Sequence, residues 1–355
     1  MVEDSLRPYF RNKTHLELVP LEFLFPSIVD LAVVAEHPKS FEVFKASLTA
    51  HHQAFDTKPI ESLTSLMDSE GSTSCALGVF WSMFHLETSR ASLELEEFAY
   101  STLSLLGSLL EGVAKPFVLA LACQSDIARM QVAPVSHSAV SFGKAVESIE
   151  AVSRTGLLDI YGVRMTQWRN IAQHLSTSFQ NDQIVCRYGN TNQHSVAVNR
   201  NELNQVLVDA MLIYQALKAS RTIFFFDNFE QLRDWNLLPR ELLLRDEARF
   251  SVLISGLATQ GFSVIETTTT PEESRLVIQD MSDLPPLERG AHASQFIVTL
   301  ADYRPAKALI VEYRTKRGVP FLRARAPLTL IECAREAGDF TIVARDAELT
   351  ILETA

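Results

Sequence analysis

A chain of 355 residues, 47% apolar and 21% charged, has the profile of a folded globular protein, and its length favours two domains over one. The formal net charge of −11 argues against whole-surface binding to nucleic acid but leaves room for a local basic patch. Cys75, Cys123, Cys186 and Cys333 are far apart and form no CxxC or Cys/His cluster, so neither a disulfide framework nor a zinc site is expected.

The amino terminus, MVEDSLRPYFRNK, has no long apolar core and no cleavage-site pattern, so no signal peptide is expected. With scattered reduced thiols, this gives a cytoplasmic expectation. Up to about residue 220 the pattern is helical. Gly71, Ser72, Thr73 and Ser74 read as a loop. Leu95, Phe98, Leu103, Leu106, Leu109 and Leu110 mark a strongly apolar helix. The acids Glu94, Glu96 and Glu97 suit the dipole at its start; alternatively, one of them holds Arg169 or His174 from a neighbouring helix. The most apolar window, 103–123, is interrupted by Glu111, Lys115 and Pro116, and it reads as core helix rather than membrane span. A loop is expected around Pro134, then a helix over 139–152 carrying Val140, Phe142, Val146 and Ile149.

A further helix is expected over 160–176. The period then changes over 183–198, where Ile184, Val185 and Cys186, the turn-rich YGNTNQ, and Val196, Ala197 and Val198 predict a hairpin. Asn199 with Glu202 resembles a capping box that opens a helix over about 202–219. After TIFFFDNFEQ the composition shifts to β-branched runs between Pro and Gly breaks: FSVIETTTT, RLVIQDM, SQFIVTL, ALIVEYR and FTIVARD. Two stretches there look helical, 241–259 and 328–337. The fold class is therefore α+β: a helical domain over 1–220, a linker over 221–240, and over 241–355 an α+β domain with an antiparallel or mixed sheet.

The chemistry concentrates in WRNIAQH, residues 168–174. On a helix advancing about 100° per residue, Met165, Trp168, Ile171, Ala172 and Leu175 fall on one buried stripe. Asn170 and His174, four apart, lie together on the polar side, and Arg169 at the stripe's margin reaches the same surface with its long side chain. An imidazole transfers protons near neutral pH, a guanidinium offers a donor fork to phosphate oxygens, and an amide orients either. RNA carries its own nucleophile, the 2′-hydroxyl, so such a site needs no metal or cofactor in principle.

The run Arg169-Asn170-Ile171-Ala172-Gln173-His174 resembles the signature of HEPN-domain ribonucleases: an arginine, usually followed by a polar residue, separated from a histidine by about four to six intervening residues on a late helix of an all-α bundle; here four intervene. The resemblance covers at most residues 90–220. It implies a HEPN-like amino-terminal bundle, a homodimer with a composite cleft, and metal-independent endonucleolytic cleavage of RNA leaving cyclic phosphate ends, in a toxin or antiviral-defence effector. Arg169 and His174 take the phosphate-contacting and proton-transfer roles, with Asn170 assisting. A second, looser hit, Arg187 to His194, is set aside because it lies in the turn-rich hairpin. The alternative is a catalytically inactive HEPN-like dimerisation module with a carboxy-terminal domain that binds a ligand or regulatory partner. No membrane association is expected.

Arg304, Lys307, Arg314, Lys316, Arg317, Arg323 and Arg325 share one stretch whose only acid is Glu312. They form either a basic surface for RNA or another anion, or a solvated sheet face that resists edge pairing. Asp302, Glu312 and Arg314 loosely resemble the acidic cluster of metal-dependent nucleases, but arginine replaces the lysine of that pattern. His137, His51 and His52 have no clear partners and are expected at the surface.

Overall fold

The Asn199 side chain accepts the Glu202 amide at 3.0 Å, and the Glu202 carboxylate accepts the Asn199 amide at 2.8 Å. Two amides that a helix start leaves without partners are thereby satisfied. The helix that follows, Arg200–Asp227, buries Leu203, Val206, Ala210, Ile213, Leu217 and Phe224 along one flank. Steps of three and four residues keep those side chains in register with the helical turn. This helix is the spine of the amino-terminal core.

A computed structural model describes residues 6–18, 21–84, 93–130, 140–189, 193–238, 253–254, 256–258, 260–339 and 341–352. The chain forms two units, Met1–Leu243 and Leu244–Ala355. In the first, α1 (Lys13–Leu18), α2 (Leu21–Ala35), α3 (Pro38–Thr57), α4 (Pro59–Asp68) and α5 (Glu70–Phe84) precede α6 (Leu95–Ser108). A π-helical segment, Leu109–Ala114, joins α6 to α7 (Lys115–Ala128). Then come α8 (Phe142–Val152), β1 (Asp159–Ile160), β2 (Val163–Arg164), α9 (Met165–His174), β3 (Thr177–Gln180), β4 (Gln183–Tyr188), β5 (His194–Val198), α10 (Arg200–Asp227) and α11 (Phe229–Asp234). The unit is mainly helical, but β1–β2 and the three-stranded β3–β4–β5 sheet flank α9.

The predicted hairpin is present, with Ile184 opposite Val198 and Cys186 opposite Val196. The stretch Leu95–Ala128 is apolar and long enough to cross a membrane by composition, yet 56% of its apolar window is buried inside the fold. Glu96 and Glu97 lie in the first turn of α6, where they favour its dipole. All four cysteines are free thiols. Burial pushes Cys186 up to about 12 and, with Asp126, Cys123 up to about 11.

Several expectations need correction. Gly71 to Ser74 are not a loop but the start of α5, because Ser72 and Thr73 return their hydroxyls to the Ser69 carbonyl at 2.9 and 3.1 Å. Residues 221–227 are not linker but the last turns of α10, and α11 follows; Ile223, Phe224 and Leu232 are core, so hydrophobic burial carries the first unit past the expected boundary. The helix expected over 160–176 is shorter, since 160–164 belong to the β1–β2 hairpin. His51 and His52 are buried against Phe224, not exposed. His137 and the loop around Pro134 lie outside the described residues, as does most of the 241–259 helix.

The second unit is an α+β fold. It contains β6 (Phe262–Thr269), β7 (Glu273–Asp280), α12 (Pro286–Ser294), α13 (Phe296–Tyr303), β8 (Ala308–Arg314), β9 (Pro320–Pro327), α14 (Leu328–Ala337), α15 (Thr341–Asp346) and β10 (Glu348–Ile351). The mixed sheet has the order β10-β9-β8-β7-β6, with β7 and β8 parallel and the other pairs antiparallel. The parallel pair needs a crossover, and α12 and α13 supply it. Alternate residues Leu276 and Ile278, Leu309, Val311 and Tyr313, and Leu322, Ala324 and Ala326 share a core with Ile297, Leu300 and Ile331 from the helices. SQFIVTL and FTIVARD, expected as strands, fall instead on helices: the first overlaps α13 and the second contains α15. In α13 the apolar residues Ile297, Leu300 and Ala301 recur at helical spacing, and that burial overrides their β-propensity.

Candidate functional site

Trp168 fixes α9 from below. Its ring is fully buried and its Nε1 donates to the Ile160 carbonyl at 2.7 Å, tying the helix to the hairpin before it. Met165, Ile171 and Ala172 complete the buried stripe. Leu175, expected in that stripe, is instead exposed: it ends the helix in the left-handed region at φ +47°, and its carbonyl accepts the Thr177 amide where β3 begins. A Cβ placed on Gly107 of α6 would stand 3.3 Å from the Cβ of Ala172, so the two helices approach closely there. Gly107→Val is expected to lower stability by about 1–3 kcal/mol through overpacking, read from chemical denaturation midpoints. A variant as stable as the parent would contradict that approach.

The other side of α9 is polar. Arg169 donates from Nε to Glu111 Oε2 at 2.7 Å and from Nη1 to Asn170 Oδ1 at 3.2 Å. Glu111, on the π-helical segment, also accepts from Lys115 Nζ at 2.5 Å through Oε1. Burial pushes the Glu111 pKa up, but the hydrogen bonds from Arg169 and Lys115 outweigh it and hold the carboxyl below its ordinary value. One carboxylate thus orients two cations, and the cluster keeps one positive charge. All three side chains remain partly exposed.

His174 stands in the last turn of α9, exposed and with no hydrogen bond or ion pair among the described residues. Asn170 and His174 are separated by about 40° around the helix, Arg169 and His174 by about 140°. Arg169 and Asn170 are joined by their hydrogen bond, and His174, one turn beyond Asn170, hydrogen-bonds to neither. The sequence offered the acidic run at 94–97 as one alternative source of a carboxylate for Arg169 or His174; the partner of Arg169 is Glu111. The signal available was the Glu111, Lys115 pair interrupting an otherwise apolar window, four residues apart and hence on one helix face. The set-aside pair Arg187 and His194 lies on β4 and β5, with His194 paired to Tyr188.

In the second unit most of the basic run is matched by acids. Lys307 pairs with Glu272, Lys316 with Asp283, Arg314 and Arg323 with Glu312, and Arg325 approaches Glu348 at 3.9 Å. Arg317 is exposed and without a partner among the described residues. Asp302 and Glu312 do not converge: Asp302 on α13 pairs with Arg335, whereas Glu312 on β8 is buried among arginines. Among the described residues no group of three or more His, Cys, Asp or Glu side chains is arranged to hold a metal ion. Comparison of the chain with protein families, with curated proteins and with solved structures finds no match in any of the three.

Proposed function

We propose that this chain is a metal-independent endoribonuclease of the HEPN type, acting as a cytoplasmic homodimer with Arg169, Asn170 and His174 at its reactive surface. The supporting observation is the polar face of α9, where a guanidinium held in place by Glu111 and Asn170 lies about one turn from an exposed imidazole that has no partner among the described residues. Cleavage begins when the RNA 2′-hydroxyl loses its proton and attacks phosphorus. The bond to the 5′-oxygen breaks, that oxygen takes a proton, and a 2′,3′-cyclic phosphate remains. Arg169 keeps Nη2 for a phosphate oxygen, since Nε and Nη1 are already engaged. His174 moves a proton. One α9 supplies a single imidazole while the reaction wants both a base and an acid, so a second copy of the chain facing the first supplies the other. The first unit is then a HEPN-like bundle elaborated by the small sheets around α9, and the second selects substrate or engages a regulatory partner.

The firm engagement of Arg169 by Glu111 also suits a second reading, an inactive HEPN-like dimerisation module in which this ion pair is purely structural. Induced expression in bacterial cells separates the two. The nuclease arrests growth, and Arg169→Ala or His174→Ala each restores it at equal protein level. Growth arrest that persists in both variants, or no arrest by the parent chain together with intact cellular RNA, favours the inactive module.

A further inference from the structure

Glu312 gathers guanidinium groups from three adjacent strands. Its side chain is 3% exposed. Arg275 of β7 donates from Nη2 to Oε2 at 2.7 Å, Arg323 of β9 donates to the same oxygen at 3.2 Å, and Arg314 donates to Oε1 at 3.3 Å. The strand register produces this meeting. Arg323 stands opposite Glu312, Val277 stands opposite it on the other side, and two-residue steps put Arg275 and Arg314 on the same sheet face. That face is the reverse of the one packed against Leu309, Val311 and Tyr313. Burial pushes the Glu312 pKa up, but the hydrogen bonds from Arg275 and Arg323, joined by Arg314, hold it below its ordinary value. It is a carboxylate at neutral pH.

One carboxylate is not enough for three arginines. Each spends a single Nη on Glu312, so none forms the paired fork that guanidinium and an oxyanion make together. Nε of Arg314 and of Arg323 is buried and has no partner among the described residues, so the donors left for a ligand are the remaining Nη groups. Two further acids act on Arg275: Glu266, 3.8 Å from its Nη1 and half-exposed, and Glu273, two residues away on the same strand. Three arginines therefore face three carboxylates, of which Glu312 alone is hydrogen-bonded to them. The side chains of Arg275, Arg314 and Arg323 are 29%, 29% and 43% exposed, so the cluster reaches solvent. Three strands span about 10 Å, which suits one or two phosphoryl groups rather than a long backbone track.

We propose that Arg275, Arg314 and Arg323, organised by Glu312, form a binding site for a phosphate group, carried either by a free nucleotide or by the end of an RNA strand. Glu312 acts as an internal counter-charge that holds like charges together before the ligand arrives. A second oxyanion takes the donors it leaves over. The site does not depend on the chemistry of α9.

The test uses the full chain carrying His174→Ala, so that RNA stays intact and binding is read apart from cleavage. Pyrophosphate is titrated calorimetrically, and short single-stranded RNAs with a 5′-phosphate or a 5′-hydroxyl are followed by fluorescence anisotropy. Saturable pyrophosphate binding is expected, weakened about tenfold or more by Arg314→Gln or Arg323→Gln. Arg345→Gln, a surface change in the same unit outside the basic run, should leave it unchanged. A preference for the 5′-phosphorylated RNA that the same variants remove assigns the phosphate to an RNA end. Pyrophosphate binding without that preference assigns it to a free nucleotide. No saturable pyrophosphate binding at millimolar concentration overturns the site, and this reading needs no variant to fold. Binding that both arginine variants retain overturns it equally.

Discussion

His174→Ala is expected to slow RNA cleavage by about 10²–10⁴-fold, the range lost when a positioned proton-transfer group is removed. Arg169→Ala should lose about 10²–10³-fold, as when one charge-stabilising donor is taken from a transition state. Glu111→Gln is the informative intermediate. An amide retains an oxygen to accept Arg169 Nε, but it loses the charge that holds both Arg169 and Lys115. The guanidinium is then less fixed, and a loss smaller than that of Arg169→Ala is expected. Initial rates on one labelled RNA, with the variants' unfolding midpoints measured alongside, give the ranking. Equal rates for the parent chain and His174→Ala would remove the imidazole from the reaction.

Acid should destabilise the first unit well before its carboxylates titrate. His51 is fully buried with Nδ1 unpartnered among the described residues, its ring stacked on Phe224 at 5.0 Å. Burial, with Arg221 and His52 adding, pushes it down to about 3. His52 meets Phe224 edge-on, and burial with Arg11 outweighs Asp227 and Asp56 to bring it down to about 4. Above the ordinary value of 6.5 both states are neutral at these residues and nothing changes. Below it the unfolded chain takes up protons that the folded chain refuses, so stability falls as pH falls, levelling off only near pH 3–4. From pH 7 to pH 5 the loss is about 2 kcal/mol for each histidine, against about 5–15 kcal/mol for a typical domain. Denaturant midpoints at the two pH values read it directly. His51→Phe keeps a ring on Phe224 and removes the buried nitrogen, so it should shrink the acid loss by about half. An undiminished loss in that variant would show that His51 is not the source.

What the sequence revealed, and what it concealed, follows from the range of the interactions. The capping box at Asn199, the β4–β5 hairpin and the buried stripe of α9 are written in residues at most a few turns apart, and each is present in the fold. The stretch at 71–74 misleads because Gly, Ser and Thr signal loops, yet hydroxyl groups that bond back to Ser69 let a helix absorb them. The β-branched SQFIVTL and FTIVARD mislead in the opposite sense, since packing under the sheet decides their state. Long-range meetings were illegible. Glu111 reaches Arg169 across 58 residues, and nothing near His51 in sequence announces Phe224. The basic run in the second unit was visible, but Arg275, which completes the cluster around Glu312, lies outside it.

The proposal that α9 carries the reaction is tested most directly by the ends it leaves. Purified chain is incubated with a single-stranded RNA in excess EDTA, and the 3′ ends of the fragments are characterised. Fragments bearing 2′,3′-cyclic phosphate, formed by the parent chain and absent with His174→Ala, are the predicted result. Fragments that carry 3′-hydroxyl ends, that vanish in EDTA, or that form equally with His174→Ala would contradict it.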